Sequence, residues 1–155
     1  MRRFATRRRI LTTAAVLCAC AGLARAATAA DAVHPVKITK AQAAGAIFKD
    51  YEPVVKTEDG NTTHDVEVFL SKDRQFDAGM YRSGKVRAEI KAPYGVHEYM
   101  HFLEGGVKLT SSDGTVTEVR AGDSVVIPAE WTGVWDTDGY TKIYVIYSPN
   151  GPIPE

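Results

Sequence analysis

The stretch H-E-Y-M-H at His97–His101 has the residue types and the spacing for metal-assisted hydrolysis. On a helix, positions i and i+4 lie one turn apart, so both imidazoles can bind one zinc ion while Glu98 acts as a general base. However, Pro93 precedes the stretch and Gly105 follows it closely, which favours a strand over a long helix. On a strand, roughly 13 Å would separate the backbones of the two histidines. A zinc site of this type is therefore not expected.

Alternation along a strand divides the same stretch between two faces. One face carries Glu98, Met100 and Phe102, and the other carries His97, Tyr99, His101 and Leu103. Glu98 is predicted to be a pocket carboxylate that binds a metal or acts as an acid or base, or else a rim residue satisfied by a hydrogen bond. The histidines are predicted to point outward, at an edge or a dimer contact, unless a bulge near Gly95 brings His97 or His101 back to Glu98.

The N-terminus has the layout of an export signal. A basic region that ends at Arg9 is followed by the uncharged stretch 10–24 and by an A-x-A cleavage site at Ala24–Ala26. Residues 1–26 are therefore predicted to be a signal peptide, and the run T-R-R-R-I-L-T resembles a twin-arginine signal. The uncharged stretch is about 15 residues long, short of the roughly 20 that a spanning helix needs. The expected location is periplasmic or secreted, with a lipoprotein anchored at Cys20 as the alternative.

Removal of the signal changes the charge of the chain. Six of the 19 basic residues lie within residues 1–26 and none of the 19 acidic residues does, so the mature chain has 13 basic and 19 acidic residues and a net charge of −6. Such a surface does not favour nucleic acid, and no membrane insertion is expected after cleavage. Both cysteines, Cys18 and Cys20, are removed as well, which excludes disulfides and thiolate chemistry in the mature domain.

The rest of the chain predicts a short helix followed by an all-β domain. The helical pattern begins near Thr39, a suitable N-cap, and ends before Pro53. From residue 65 onward, short alternating segments are separated by glycine turns such as Asp138–Gly139, which is typical of a sandwich or barrel. The predicted organisation is a signal peptide at 1–26, a leader with the helix at 27–64, the β domain at 65–148 and a loose tail at 149–155. The position of the helix on the barrel is left open.

Two segments of the β domain resemble the characteristic motifs of the cupins. The run E-Y-M-H-F-L-E-G-G-V-K-L-T-S-S-D-G, Glu98–Gly114, is similar to the first motif, and A-G-D-S-V-V-I-P-A-E-W-T-G-V-W, Ala121–Trp135, is similar to the second. With K-I-Y-V-I at Lys142–Ile146, the pattern over about residues 75 to 147 most resembles the branch of ethanolamine-utilisation and ureidoglycine-aminohydrolase cupins. The resemblance implies a single double-stranded β-helix barrel (jelly roll) with a pocket in its mouth and, often, a homodimer.

The resemblance also implies where a metal site would lie. In metal-binding cupins the first motif supplies two histidines and a glutamate, and the second supplies one histidine. Glu98 occupies the glutamate position, but the histidine positions fall on Lys91, Pro93 and Gly133. One carboxylate cannot hold a transition metal tightly, so a divalent metal cofactor is not favoured. A rebuilt site would need a histidine of the H-E-Y-M-H stretch beside Glu98.

A pocket for an organic ligand is predicted instead beside the vacated histidine position. Trp131 and Trp135 share strand parity with Gly133, so both indoles flank it. They can line an aromatic pocket, or they can fill the end of the barrel as core. The other pocket residues predicted are Glu98, Met100, Lys142, Tyr81 and Tyr144.

Three functions fit these residues. The leading prediction is an exported cupin that binds a small organic molecule in the barrel pocket. The second is a metal-dependent hydrolase or isomerase that acts on a small polar metabolite, which leaves enzymatic activity open. The third is a non-enzymatic dimeric accessory protein that uses the outer face with Tyr99.

Overall fold

The computed structural model describes residues 32–154. A helical segment comes first, in which Gln42–Ala46 is wound as a π-helix and Ile47–Asp50 continues as the α-helix α1. The strands of this part of the chain are β1 Val54–Glu58, β2 Asn61–Leu70, β3 Phe76–Ser83, β4 Val86–Ile90, β5 His97–Ser111, β6 Val116–Arg120, β7 Ser124–Ile127 and β8 Gly133–Tyr147. The predicted all-β class with a short N-terminal helix is confirmed.

These strands form one eight-stranded sheet in the order β1-β2-β3-β8-β5-β6, with β4 paired to β8 and β7 paired to β5. All of the pairs are antiparallel. β5 and β8 are each 15 residues long and pair with each other along most of their length. Along its length β8 also pairs with β4 and then β3, while β5 also pairs with β7 and then β6. Because each long strand belongs to two parts of the sheet, the sheet rolls up, consistent with the predicted jelly-roll barrel.

Apolar side chains are buried on both sides of the sheet. The interior cluster consists of Met100, Phe102, Val107, Leu109, Val119, Ile127, Trp135 and Tyr140. A second cluster of Ile47, Val66 and Met80 lies on the other face of β2 and β3, beneath the helical segment. Since side chains alternate along a strand, Asp65 and Tyr81, next to Val66 and Met80, face the interior.

The helical segment therefore packs on the side of the barrel. Its start is stabilised by a capping box, in which Gln42 N–H donates to Thr39 Oγ1 (3.2 Å) and Thr39 N–H donates to Gln42 Oε1 (2.9 Å). Thr39 thus caps the first turn, as the sequence predicts. Gly45 has a φ of 103°, which glycine tolerates, and this residue kinks the segment before α1.

Two expectations about strand boundaries are wrong. The sheet begins at Val54 and not at residue 65, because β1 pairs with the first half of β2. The turn expected at Asp138–Gly139 lies inside β8. A Cβ on Gly105 would come within 2.0 Å of the Gly139 carbonyl oxygen, so glycine here permits β5 and β8 to approach closely.

The C-terminal residues were expected to form a loose tail, but Ile153 is hydrogen-bonded to the segment before β3. Ile153 N–H donates to the Arg74 carbonyl oxygen (2.8 Å), and Arg74 Nη2 donates to the Ile153 carbonyl oxygen (3.3 Å). The predicted signal peptide at 1–26 and the alternative anchor at Cys20 lie outside the described residues. Within residues 32–154, no helix combines the length and the apolar character needed to cross a membrane.

Candidate functional site

Strand register brings the candidate site together on the inner face of the barrel. β3 and β8 place Tyr81 opposite Lys142. β5 and β8 place Met100, two residues after Glu98, opposite Tyr144. Because residues paired across neighbouring strands share a face, these side chains all project into the interior.

A buried ion pair occupies one wall of this interior. Lys142 Nζ donates to Glu98 Oε1 at 2.6 Å, and the exposed fractions of the two side chains are only 6% and 3%. Tyr94 Oη donates to Glu98 Oε2 at 2.5 Å, so both carboxylate oxygens are hydrogen-bonded. Lys142 Nζ also lies 3.1 Å from Met100 Sδ. Burial, followed by the charge of Glu98, raises the pKa of Tyr94, which keeps its hydroxyl protonated as the donor.

Three aromatic rings surround the Lys142 ammonium. Its Nζ lies 5.4 Å from the ring centroid of Trp135, 5.5 Å from that of Tyr81 and 5.6 Å from that of Tyr140. These distances fall within the range of cation–π attraction, which strengthens where water is excluded. The ammonium is thus stabilised by Glu98 on one side and by π-electron density on the others.

Two further carboxylates lie on the strands beside Tyr144. Tyr144 Oη donates to Asp65 Oδ1 at 2.9 Å. Asp77 is 8% exposed, and its Oδ1 has no hydrogen-bond partner within the described part of the chain. Burial, followed by the charges of Glu67 and Asp65, raises the pKa of Asp77 from its ordinary value of 3.8 to about 6. Burial likewise raises the pKa of Asp65, and the Tyr144 hydrogen bond and the Lys142 charge oppose this only in part.

These groups line an open cavity of about 350 Å³, called the inner cavity below. Its lining comprises Asp65, Asp77, Tyr81, Ala88, Ile90, Tyr94, Glu98, Trp135, Tyr140, Lys142, Tyr144 and Ile146. The volume lies at the lower end of the range for ligand pockets, and four charged side chains lie among the aromatic and aliphatic walls. The arrangement can bind a small organic molecule.

The structure brings together most of the predicted pocket residues. Five of them line the inner cavity: Glu98, Tyr81, Trp135, Lys142 and Tyr144. Met100 is fully buried and supports the wall by contacting Lys142 Nζ. Trp131 lies outside the cavity, where its indole N–H donates to Ser111 Oγ at 3.1 Å. Trp131 precedes β8, so strand parity does not relate it to Trp135.

Both histidines of the H-E-Y-M-H stretch form hydrogen bonds to other residues and not to Glu98. His97 Nδ1 accepts a hydrogen bond from Ala129 N–H at 3.1 Å, and its ring stacks on that of Tyr147. His101 Nδ1 lies 2.9 Å from Ser124 Oγ. The predicted separation of the two faces thus holds, and the rebuilt metal set of Glu98 with His97 or His101 does not form.

The residues at the cupin metal positions do not fit a metal either. A Cβ on Gly133 would come within 2.2 Å of the Thr110 carbonyl oxygen, so the backbone leaves no room for a histidine there. Lys91 extends outward and pairs with Glu89 at 3.3 Å, where both side chains are exposed. In residues 32–154, no three His, Cys, Asp or Glu side chains come together as a metal-binding group.

The chain matches a family model and resembles solved structures. Residues 70–144 match the model of the EutQ-like cupin domain. The chain is similar to the structure of a DUF861-family protein of unknown function from Pseudomonas syringae pv. tomato, with 20% identity and a TM-score of 0.53. The similarity covers 62% of this chain and 42% of that chain. It is also similar to the Clostridium difficile EutQ protein, with 16% identity, 61% and 75% of the two chains covered, and a TM-score of 0.51.

These two structural similarities bear on the fold of the chain. The chain covers less than half the length of the Pseudomonas protein. At such identities the two structures show the fold alone. No curated protein matches the sequence.

Proposed function

We propose, on the premise that this chain carries a EutQ-like cupin domain and belongs to the cupin superfamily, that its barrel binds a small polar organic molecule in the inner cavity. The observation that carries the proposal is the Glu98–Lys142 ion pair on the cavity wall. A buried ion pair contributes little net stability, because removing both charges from water costs about as much as their attraction returns. Its position in an aromatic-lined cavity is therefore better explained by ligand recognition than by folding.

The two tryptophans supply a specific test of binding. Trp135 lines the inner cavity and Trp131 does not, so a Trp131→Phe variant reports on the cavity alone. A charge-balanced library of small organic compounds should contain members that change the Trp135 fluorescence and raise the melting temperature of the Trp131→Phe protein.

Free N-acetyltryptophanamide serves as the control, since a compound that changes its fluorescence does so without the cavity. If no compound changes either the fluorescence or the melting temperature, the cavity does not have the binding function proposed here.

We also propose that the protein is exported and that residues 1–26 are removed. The basic block, the uncharged stretch and the A-x-A site support this proposal. Intact-mass analysis of the protein from a bacterial periplasmic fraction should give a chain that begins at Ala27. A lipid-modified Cys20 in the membrane fraction would instead support the lipoprotein alternative, and an intact N-terminus in the cytoplasm would contradict both.

We further propose a homodimer that forms through the outer face of β7, β5 and β8. Tyr99 lies opposite Val126 in the β5–β7 pair, and Tyr147 lies opposite His97 in the β5–β8 pair. Tyr99, Val126 and Tyr147 are exposed, and neighbouring exposed apolar side chains on one face are typical of protein–protein contacts. A two-fold symmetric contact would bury the same patch on both copies.

A further inference from the structure

We propose that the ligand of the inner cavity is a small organic cation, an alkylammonium compound, whose charged group lies between Asp65 and Asp77. This inference rests on the proposed binding function and names the chemical class of the ligand. The ammonium subsite is distinct from the Glu98–Lys142 pair, although both open onto the same cavity.

The charge of the cavity lining supports a cationic ligand. Three carboxylates, those of Asp65, Asp77 and Glu98, line the cavity together with a single cationic side chain, Lys142. The Lys142 ammonium already pairs with Glu98, with Nζ 2.6 Å from Oε1, and three aromatic rings lie around it. Asp65 and Asp77 therefore leave an excess of negative charge in a largely buried place, which disfavours an anion and favours a cation.

Hydrogen bonding in the same place points to a missing donor. Tyr144 has one hydroxyl proton, which it donates to Asp65 Oδ1 at 2.9 Å. Asp77 is more than nine-tenths buried, and its Oδ1 lacks a partner among residues 32–154. A buried acceptor without a donor is destabilising, so a ligand that donates to it gains affinity. A primary ammonium carries three N–H groups, so it can donate to Asp77 while it also neutralises Asp65.

The backbone makes room for this arrangement at Gly79. Gly79 lies opposite Tyr144 in the β3–β8 pair, and a Cβ on Gly79 would come within 2.6 Å of Tyr144 Oη. Without a side chain at position 79, the Tyr144 phenol can lie across β3 and reach Asp65 on β2. The hydroxyl thereby holds Asp65 in place beside the cavity, and Asp77 Oδ1 is the acceptor that lacks a partner among the described residues.

The size and the apolar walls of the cavity limit the rest of the ligand. A volume of about 350 Å³ lies near the lower limit for ligand pockets and therefore favours a small molecule. Ile90, Ile146 and the ring of Tyr81 offer apolar surface to a short hydrocarbon chain. A compact aliphatic amine fits these limits.

Probes of similar size and different charge test the proposal directly. We expect n-butylammonium to bind the Trp131→Phe protein at least about tenfold more tightly than 1-butanol, because only the ammonium pairs with the carboxylates. Butyrate should bind more weakly still, since Asp65 and Asp77 would repel it. Potassium chloride and magnesium chloride at matched ionic strength should not compete with butylammonium.

Substitutions locate the subsite. Asp77→Asn and Asp65→Asn should each weaken butylammonium binding by at least about tenfold, and by clearly more than they weaken 1-butanol binding. Asp138→Asn is the matched control, because Asp138 is exposed and pairs with Lys85 on the surface. That variant should bind butylammonium as the wild type does.

The wild type offers a second test that does not depend on the folding of the variants. A bound ammonium requires ionised carboxylates, so butylammonium affinity should fall as the pH is lowered from about 7 to about 5. The titrating groups that face Asp77 are Asp65 and Glu67 from β2 and Tyr144 from β8. The affinity of 1-butanol should not change over the same range.

The outcomes separate this inference from the binding function on which it rests. Equal or tighter binding of 1-butanol or butyrate overturns the ammonium subsite and leaves small-molecule binding intact. Competition by magnesium or potassium overturns the organic cation in favour of an inorganic one. If none of the three organic probes binds, the amine class is overturned, while hits in the wider library still decide whether the cavity binds small molecules at all.

Discussion

At the residue scale, Glu98 and Lys142 depend on each other. Replacing Lys142 by Met leaves the Glu98 carboxylate buried without its cation, and breaking a buried pair in this way typically destabilises a protein by about 3–5 kcal/mol. We expect Lys142→Met to lower the free energy of unfolding by this amount, as measured by urea denaturation followed by circular dichroism. Adding Glu98→Gln should recover part of the loss, because the neutral amide still hydrogen-bonds Tyr94.

The matched control for this pair lies on the surface. Lys85 pairs with Asp138 at 2.7 Å, but both side chains are well exposed, so Lys85→Met should change stability little. A loss no larger for Lys142→Met than for Lys85→Met would contradict the account of a mutually dependent buried pair.

The raised pKa of Asp77 predicts how the free energy of unfolding changes with pH. Because its pKa is raised from 3.8 to about 6 in the folded state, the folded protein holds a proton that the unfolded chain releases between these values. The stability that Asp77 contributes is fully present below about pH 4 and is lost as the pH rises through about 6. The free energy of unfolding of the wild type minus that of Asp77→Asn should therefore fall between about pH 4 and about pH 7.

Asp73 provides a control of opposite sign. Hydrogen bonds from Ser71 and from the backbone of Gln75 lower the pKa of this exposed carboxyl. The stability difference between wild type and Asp73→Asn should consequently fall as the pH is lowered. Parallel pH profiles for the two substitutions would show that the environment of Asp77 is not the one described here.

Residues of the site differ in how far their sequence context predicts them. Glu98 and Lys142 lie within recognisable motifs, and parity divides the residues of each strand between two faces, but the register that brings these two side chains together is supplied by the structure. Asp65 was missed because alternation in D-V-E-V does not indicate which face is the interior one; α1 covers Val66 from outside and leaves Asp65 facing the cavity. Tyr94 precedes β5 in a loop, where no periodicity indicates that its hydroxyl reaches Glu98.

At the element scale, the helical segment is the reason why β2 and β3 can bury both faces. Ile47 is fully buried against Val66 and Met80. Ile47→Ala should lower the free energy of unfolding by about 2–5 kcal/mol, since truncation of a fully buried side chain leaves a cavity. Because this contact lies on the face opposite the inner cavity, ligand affinity in the folded variant should be unchanged.

Lys49 is the control for that substitution. It lies in the same helix but is exposed, so Lys49→Ala should have little effect on chemical denaturation. Equal stability of the Ile47 and Lys49 variants would show that the helical segment is only loosely attached to the barrel.

The element boundaries show what the pattern of glycines does and does not predict. Glycine pairs favour turns in a sequence of short strands, and this reasoning divides β5 and β8 into separate elements. In the structure Gly106 and Gly139 lie opposite each other in the middle of two continuous strands. The close approach of two backbones requires glycine as much as a turn does, and sequence alone does not separate the two requirements.

At the scale of the whole molecule, the outer sheet face predicts a dimer. Tyr99 and Val126 are adjacent on that face, and both are exposed. Around a two-fold axis, an aspartate at position 99 would bring a charge from each copy into an apolar contact, which costs desolvation as well as repulsion. Sedimentation velocity should therefore show a dimer for the wild type and a monomer for Tyr99→Asp.

A second substitution separates this face from general surface effects. Val116 on β6 is also exposed, but β6 pairs with the opposite end of β5 from the segment that carries Tyr99. Val116→Asp should therefore remain dimeric. A wild type that sediments as a monomer, or a Tyr99→Asp variant that stays dimeric, would remove this face as the site of self-association. The binding proposals concern the inner face, so ligand affinity should not follow the oligomeric state in either variant.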